Sequence, residues 1–401
     1  MVLNYKRPHH FLIVTGLVLI ACNKPAPIVA PPNKTGDSTN AGAGAGAPTD
    51  TSTATVYVLG TSGGDSLVCW KNGVPTLLAY TPDVFACSMV MVDSDIYIAA
   101  GYSPAGTNPS DITDTPGIAS YWKDGQQYPL SLSEGAVGAV ATGIFVSGSD
   151  VYVSGTMHFN DPTSVPFTPR WGFTACYWKN GQPTLLTDWA ATVSYFGYLQ
   201  SVRSDFTSGI FVSGNDVYVA GGERYPINHP LPFHFTGYWK DDAFVDLPNY
   251  LTDSNVTTQL PEPITGPITM NGTDLYVSGN QQPLSHRFPT GLYWQNGTLI
   301  SLWPDSGDYV YNLQISGNDI YNVGNYYLAG TQHAAYWKDG SMTLVDSSIY
   351  GTAGYSICVS GNDVYVAGNR GYIGIAYPVY WKNGVLKNLG YNGTAYEILV
   401  K

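Results

Sequence analysis

Apolar residues come in short runs broken by tight polar segments, and two arrangements keep returning along the chain. One is a strand, a turn and a second strand: Ile144-Phe145-Val146-Ser147-Gly148-Ser149-Asp150-Val151-Tyr152-Val153-Ser154-Gly155. It recurs at Ile210–Gly221, Met270–Gly279, Ile315–Gly324 and Cys358–Gly368, with a looser copy at Met91–Gly101. The other is Tyr177-Trp178-Lys179-Asn180-Gly181 followed by Leu185-Leu186, with relatives starting at Cys69, Tyr121, Tyr238, Tyr293, Tyr336 and Tyr380. Asn-Gly or Asp-Gly between apolar runs is a strong hairpin signal, because a type I′ turn needs positive φ at both central residues. Ser-Gly-Asn-Asp reads as a second tight turn. One unit therefore predicts four antiparallel strands, A to D, with bulky residues on both faces as a sheet sandwiched between neighbours requires. The repeat tryptophans Trp70, Trp122, Trp178, Trp239, Trp294, Trp337 and Trp381 lie 52, 56, 61, 55, 43 and 44 residues apart. Seven such units predict an all-β, seven-bladed β-propeller. The first copy starts at Val56-Tyr57-Val58-Leu59-Gly60 and lacks strand A, whereas Gly393–Val400 resembles the strand A of Gly354–Val359 with no strand B after it. The C-terminal strand is thus expected to pair into blade 1 and close the ring, removing two free edges.

Between residues 55 and 400 the chain resembles bacterial extracellular propeller repeats of the HAF type, most closely at Tyr380-Trp381-Lys382-Asn383-Gly384-Val385-Leu386-Lys387-Asn388-Leu389-Gly390. The resemblance implies an architecture and no reaction. Near the N-terminus, Lys6 and Arg7 precede an apolar run, Phe11–Ile20, too short for a permanent membrane span. It ends in Leu19-Ile20-Ala21-Cys22, which resembles the bacterial lipobox and implies cleavage before Cys22 and lipidation of its thiol. The expected organisation is a signal peptide over 1–21, the lipidated Cys22 with a Pro-, Ala-, Gly- and Thr-rich tether over 22–54, and the propeller over 55–401. The tether has a coil span of about 30 Å. Asn23 in place of an inner-membrane retention Asp points to the outer membrane, with the side of that membrane open.

Composition narrows the field further. Only 11% of residues are Asp, Glu, Lys or Arg, against about 25% in an ordinary soluble domain, which excludes coiled coils and charged disordered chains. The net charge of −12 becomes −14 once the leader, with its Lys6 and Arg7, is removed. An electrostatic nucleic-acid partner is excluded on that balance. Cys69, Cys87, Cys176 and Cys358 are few, far apart and set among apolar residues, so no disulfide framework is expected, and Cys69, where other units have Tyr, is expected to pack as a small hydrophobe. No zinc spacing, metal motif or cofactor motif is present, and no His-Glu-x-x-His, Gly-x-Ser-x-Gly or phosphate loop.

Function is expected on the face carrying the long connections. The A–B and C–D turns are short, whereas 8, 19, 21, 16, 13, 11 and 11 residues separate the strand B glycine from the strand C aromatic in successive units. Loop variation on a rigid repeat builds binding surfaces. The histidines His158, His229, His234, His286 and His333 and the arginines Arg170, Arg224, Arg287 and Arg370 fall in these B–C segments, and Arg203 in a D–A connection. Lys71, Lys123, Lys179, Lys240, Lys338 and Lys382 take the C–D turns instead. Trp171, Trp189 and Trp303 stand outside the repeat positions, as do Tyr195, Tyr198, Tyr309, Tyr311, Tyr326 and Tyr327. Arg forks and exposed rings suit an acidic or ring-shaped ligand. The candidate ligand-binding set is Arg170, Trp171, Trp189, Arg224, His229, His286, Arg287, Trp303 and His333. The reading is a lipid-anchored envelope protein whose propeller binds a glycan or an envelope protein without catalysis. The alternative is a polysaccharide lyase or glycosidase with His, Arg and Tyr at the channel mouth.

Overall fold

The turn residues punctuate the chain as the repeat requires. Asn72, Asp124, Asn180, Asp241, Asn296, Asp339 and Asn383 all have φ between +48° and +54°. In six of the seven, glycine follows at φ +78° to +83°; in the fourth unit Asp242 stands in that place. Asn and Asp tolerate this left-handed conformation and their side chains add something glycine cannot. In all seven units the turn side chain's Oδ1 accepts an N–H near the start of strand B, as Asn180 does from Val151 at 2.9 Å. The C–D turn is thereby tied to a strand that is not its sequence neighbour.

The computed structural model describes residues 54–63, 66–80, 84–102, 117–160, 171–187, 204–224, 234–248, 264–281, 290–302, 309–328, 330–348, 350–372 and 375–401. Blade 1 holds β1 (Val56–Ser62), β2 (Ser66–Lys71) and β3 (Val74–Tyr80). Blade 2 is β4 (Val84–Val92), β5 (Asp95–Tyr102), β6 (Ile118–Lys123) and β7 (Gln126–Pro129). Blade 3 is β8 (Ala136–Ser147), β9 (Asp150–Asn160), β10 (Trp171–Lys179) and β11 (Gln182–Leu185); blade 4 is β12 (Ser204–Ser213), β13 (Asp216–Arg224), β14 (His234–Lys240) and β15 (Ala243–Asp246). Blade 5 is β16 (Ile264–Asn271), β17 (Asp274–Gln281), β18 (Thr290–Gln295) and β19 (Thr298–Ser301). Blade 6 is β20 (Tyr309–Ser316), β21 (Asp319–Leu328), β22 (Thr331–Lys338) and β23 (Ser341–Leu344); blade 7 is β24 (Thr352–Ser360), β25 (Asp363–Tyr372), β26 (Ile375–Lys382) and β27 (Val385–Asn388). The last strand, β28 (Ala395–Val400), pairs antiparallel with β1 and supplies the missing strand A of blade 1. Inner strands touch in an unbroken cycle β4–β8–β12–β16–β20–β24–β28–β4, so the ring is closed. Blades 3 and 4 are additionally joined by a single parallel bridge, Phe173 to Ser204.

Seven hydrophobic clusters hold the ring, one between each pair of neighbouring blades. Each repeat tryptophan lies in one of them and is at most 1% exposed. The indole N–H reaches across the interface: Trp178 Nε1 donates to the Ser131 carbonyl at 2.6 Å and Trp294 Nε1 to the Pro248 carbonyl at 2.7 Å. Cys69, Cys176 and Cys358 are free and buried in the same clusters, and burial pushes the Cys69 thiol up to about 11.

One expectation needs correction. Strand B does not end at its glycine, nor does strand C begin at its aromatic residue. In blade 3 the pairing continues from Gly155 to Asn160 against Cys176 back to Trp171, and in blade 6 from Gly324 to Leu328 against Ala335 back to Thr331. Part of each long B–C segment is therefore hairpin arm rather than loop. A second feature explains the strand B glycine itself. Every strand A carries a β-bulge, leaving Cys87, Thr142, Ser208, Gly266, Tyr311, Tyr355 or Tyr396 unpaired in the inner wall. A Cβ on Gly155 would run into the Val140 carbonyl of the bulged strand and lie 2.5 Å from the Trp178 ring.

Candidate functional site

Most of the expected ligand residues, Arg170, Trp189, His229, His286, Arg287 and Trp303, lie outside the described residues, as does Cys22. So do the side chains of Trp171 and Arg224, whose backbones open β10 and close β13. His333 is placed differently from a loop ligand. It sits within β22, 5% exposed, with Nδ1 3.2 Å from the Asp346 carbonyl. His158 likewise lies in β9, 7% exposed and stacked 4.5 Å from the Phe173 ring, where burial lowers its pKa. Both are packed on hairpin arms. Among the described residues no three His, Cys, Asp or Glu side chains converge on one point.

The lysines on the turn face are accounted for within their own blades. Lys123, Lys179, Lys240, Lys338 and Lys382 pair with Asp95, Asp150, Asp216, Asp319 and Asp363 at 2.6–3.2 Å. The same ammonium groups stand 5.2–5.5 Å from the rings of Tyr97, Tyr152, Tyr218, Tyr321 and Tyr365. The Asp-x-Tyr of strand B and the Tyr-Trp-Lys of strand C are thus one device. Blade 5, which has Gln295 in place of the lysine, keeps a weaker form, Gln295 Nε2 donating to the Tyr276 hydroxyl at 3.1 Å.

Arg370 behaves otherwise. It lies on the arm of β25 toward the long connections, with its guanidinium 4.5 Å from the centre of the Tyr350 ring. Among the described residues no carboxylate pairs with it. Arg370, Tyr350, Tyr377 and Asn388 line an open cleft of about 310 Å³ whose floor is Val379 and Leu386. Tyr377 is held edge-on to Tyr391 at 5.4 Å. A planar cation, two phenol rings and an amide over an apolar floor form a surface for a carboxylate-bearing or ring-shaped ligand.

The second candidate surface is the channel wall, where the bulges place side chains in two tiers. In blades 6, 7 and 1 the bulged residues are Tyr311, Tyr355 and Tyr396, in contact at 5.1 Å and 6.2 Å between ring centres. Tyr309, nearer the long-loop end of β20, stacks on Tyr311 at 6.2 Å. Asn325 and Asn369 donate to the Tyr311 and Tyr355 hydroxyls at 3.2 and 3.4 Å. The residues just after these bulges are Asn312, Ser356 and Glu397. Glu397 Oε1 accepts the Ser356 hydroxyl at 2.6 Å and the Asn312 amide at 3.3 Å, so one carboxyl group joins three blades. Enclosure by the inner strands raises its pKa to about 7, against the opposing effect of those hydrogen bonds. Tyr311, Tyr355, Tyr396 and Glu397 all keep partial exposure. In blades 3, 4 and 5 the corresponding pairs are Thr142-Gly143, Ser208-Gly209 and Gly266-Pro267, all small.

Sequence reasoning singled out Tyr309 and Tyr311 but not Tyr355, Tyr396 or Glu397. The signal was available in the match of Ala395-Tyr396-Glu397-Ile398 to Gly354-Tyr355-Ser356-Ile357, which puts an acid at an inner-wall position held elsewhere by small or neutral residues.

No protein-family model and no curated protein matches the chain. Among solved structures it is similar to a mutant of Trypanosoma rangeli sialidase displaying trans-sialidase activity, at 10% identity and a TM-score of 0.41, covering 84% of this chain and 59% of that one. It is also similar to the polysaccharide lyase Uly1, at 15% identity and a TM-score of 0.41 over 75% of this chain and 77% of that one. TolB from Acinetobacter baumannii matches at 11% identity and a TM-score of 0.39, over 88% of this chain and 66% of that one.

Proposed function

We propose that this chain is a lipid-anchored protein of the cell envelope whose HAF-like propeller is a non-catalytic binding module, taking an acidic glycan or an acidic envelope protein on the long-loop face. The observation that supports the reading is Arg370. Every described repeat lysine on the turn face is occupied by a ring of its own blade, and all but Lys71 by an Asp as well. Arg370, among the described residues, presents its fork to a cleft with Tyr377 and Asn388 beside it. A guanidinium stacked on a ring keeps its in-plane N–H donors free for a carboxylate. The net charge of −12 opposes an acidic partner at long range, but salt limits that repulsion to roughly 8–10 Å while the fork acts at contact.

The test is a glycan array with a parallel envelope pull-down, comparing the wild-type chain with Arg370→Ala and Tyr377→Ala. Loss of acidic-glycan or protein binding in both variants, with unchanged melting, supports the reading. Retained binding in both removes this face. The anchor is tested separately: Cys22→Ala is expected to release the protein from membranes, and unaltered fractionation would remove the lipid attachment.

A further inference from the structure

The channel wall of blades 6, 7 and 1 combines two features that neither the ring nor the loop-face reading uses. One is a continuous phenol surface, Tyr309, Tyr311, Tyr355 and Tyr396, contributed by three inner strands. The other is the Glu397 carboxyl just below it, held through Oε1 by Ser356 and Asn312. We propose that this half of the channel is a binding site for an organic ammonium cation, with Glu397 as its counter-charge and the tyrosine rings as its wall.

The argument is one of missing charge. A carboxylate enclosed by protein is costly unless a cation accompanies it. Among the described residues none does: Glu397 is surrounded by hydroxyl, amide and backbone donors, without a Lys, Arg or His. Its neighbours show the same lack. The strand itself adds Tyr396, β24 adds Tyr355 and Cys358, and β20 adds Tyr311. Burial raises Tyr311 above its ordinary range, holds Tyr355 at about 12 and raises Cys358, so all three stay neutral near pH 7. Over their lengths β1 carries only Tyr57 as a titratable residue and β4 only Cys87. On β25 and β26 the charged residues are Asp363, paired with Lys382, and Arg370, in its own cleft. Glu397 is partly rather than fully buried, so it is not sealed from solvent. Phenol faces attract cations through their quadrupole, and that attraction grows where water is displaced. A neutral sugar would find the same rings and hydroxyls but would leave the carboxylate unpaired.

The site is independent of the loop-face cleft, and the experiment keeps the two apart. Titration calorimetry of the folded chain would use choline and methylammonium as probes, with 3,3-dimethylbutan-1-ol as the neutral isostere of choline. At about pH 8.5 at least one cation is expected to bind about tenfold or more tightly than the alcohol, and to weaken by a similar factor at about pH 5.5, where Glu397 is protonated. Glu397→Gln is expected to abolish both the preference and the pH dependence, and Arg370→Ala to change neither. Should Glu397→Gln fail to fold, Tyr355→Leu and the wild-type comparison of cation with alcohol at the two pH values still decide. Neither cation binding better than the alcohol at the higher pH would overturn the proposal. So would an affinity unchanged by Glu397→Gln, or one lost in Arg370→Ala.

Discussion

The two halves of the channel wall solve the same packing problem by opposite means. Between blades 3, 4 and 5 the inner strands meet backbone to backbone. A Cβ on Gly143 would lie 3.0 Å from the Gly209 Cα, and one on Gly209 3.1 Å from the Pro267 Cα. Small hydroxyls finish the contact, Thr142 to Thr207 at 2.6 Å and Ser208 to Thr265 at 2.9 Å. From blade 5 round to blade 1 the interfaces are spanned by asparagines instead. Asn280 exchanges two hydrogen bonds with the Val310 backbone at 2.6 and 2.7 Å, Asn325 accepts from Gly354 N–H at 3.0 Å, and Asn369 reaches Thr394 at 3.4 Å. In this half the inner wall carries the tyrosines and Glu397 where the first half has small residues. A ring that looks seven-fold from its tryptophans is therefore polarised at its centre, with chemistry confined to one half.

The closing strand belongs to the second half, and removing it is expected to have the largest effect. Deleting residues 391–401 takes away β28, its pairing with β1 and the Glu397 links to blades 6 and 7. Loss of cooperative thermal unfolding and appearance of aggregation through the open edges are expected by calorimetry and light scattering. An unchanged cooperative melt would mean that the ring does not depend on its closure. Next, Gly209→Val should cost about 3 kcal/mol or more, because the strand opposite is backbone and cannot yield. Denaturant titration measures it, and a value near zero would show that the blade 4–5 contact is looser than its geometry. Asn325→Ala should cost about 1–3 kcal/mol by leaving a buried Gly354 N–H without its acceptor. If that variant is neutral, the asparagine bridges are incidental to the second half. Smallest of all, Lys179→Ala breaks an exposed pair with Asp150 and should move the melting temperature by no more than about 2 °C.

What could be read from the sequence followed from local rules. The Asn-Gly turns, the seven tryptophans and the unpaired first and last strands each carry a residue pattern with one mechanical meaning, and the structure has them in those roles. The bulges could not be read, because a two-against-one register leaves alternation on either side intact. Their consequence was visible only as an unexplained glycine after Val-Tyr-Val, which the structure explains at Gly155 by the Val140 carbonyl. The sorting of Lys from Arg was legible as a pattern, and half of its cause is now physical: the lysines are bound to Asp and Tyr of strand B, two strands' length away in sequence. The position of His333 was not legible, since pairing with Tyr326 depends on how far the hairpin arm extends beyond Gly324. Glu397 escaped notice because one acid in a short C-terminal strand resembles a tail residue until β28 is seen to be an inner strand.

That residue also gives the polarised channel its sharpest test. Glu397 has a folded pKa of about 7 against an ordinary 4.5, so the unfolded chain loses this proton first as pH rises. Stability contributed by the group is full below about pH 4.5 and lost as pH climbs through about 7, a fall on the order of 3 kcal/mol that Glu397→Gln should remove. The direct measurement is a carbon NMR titration of side-chain carboxyls labelled at Glu, with the Glu397→Gln spectrum identifying the resonance. One carboxyl titrating near pH 7 and absent from the variant is the expected result. A Glu397 resonance that titrates near 4.5 with its peers would contradict the enclosed, uncompensated carboxyl on which the account of the channel stands.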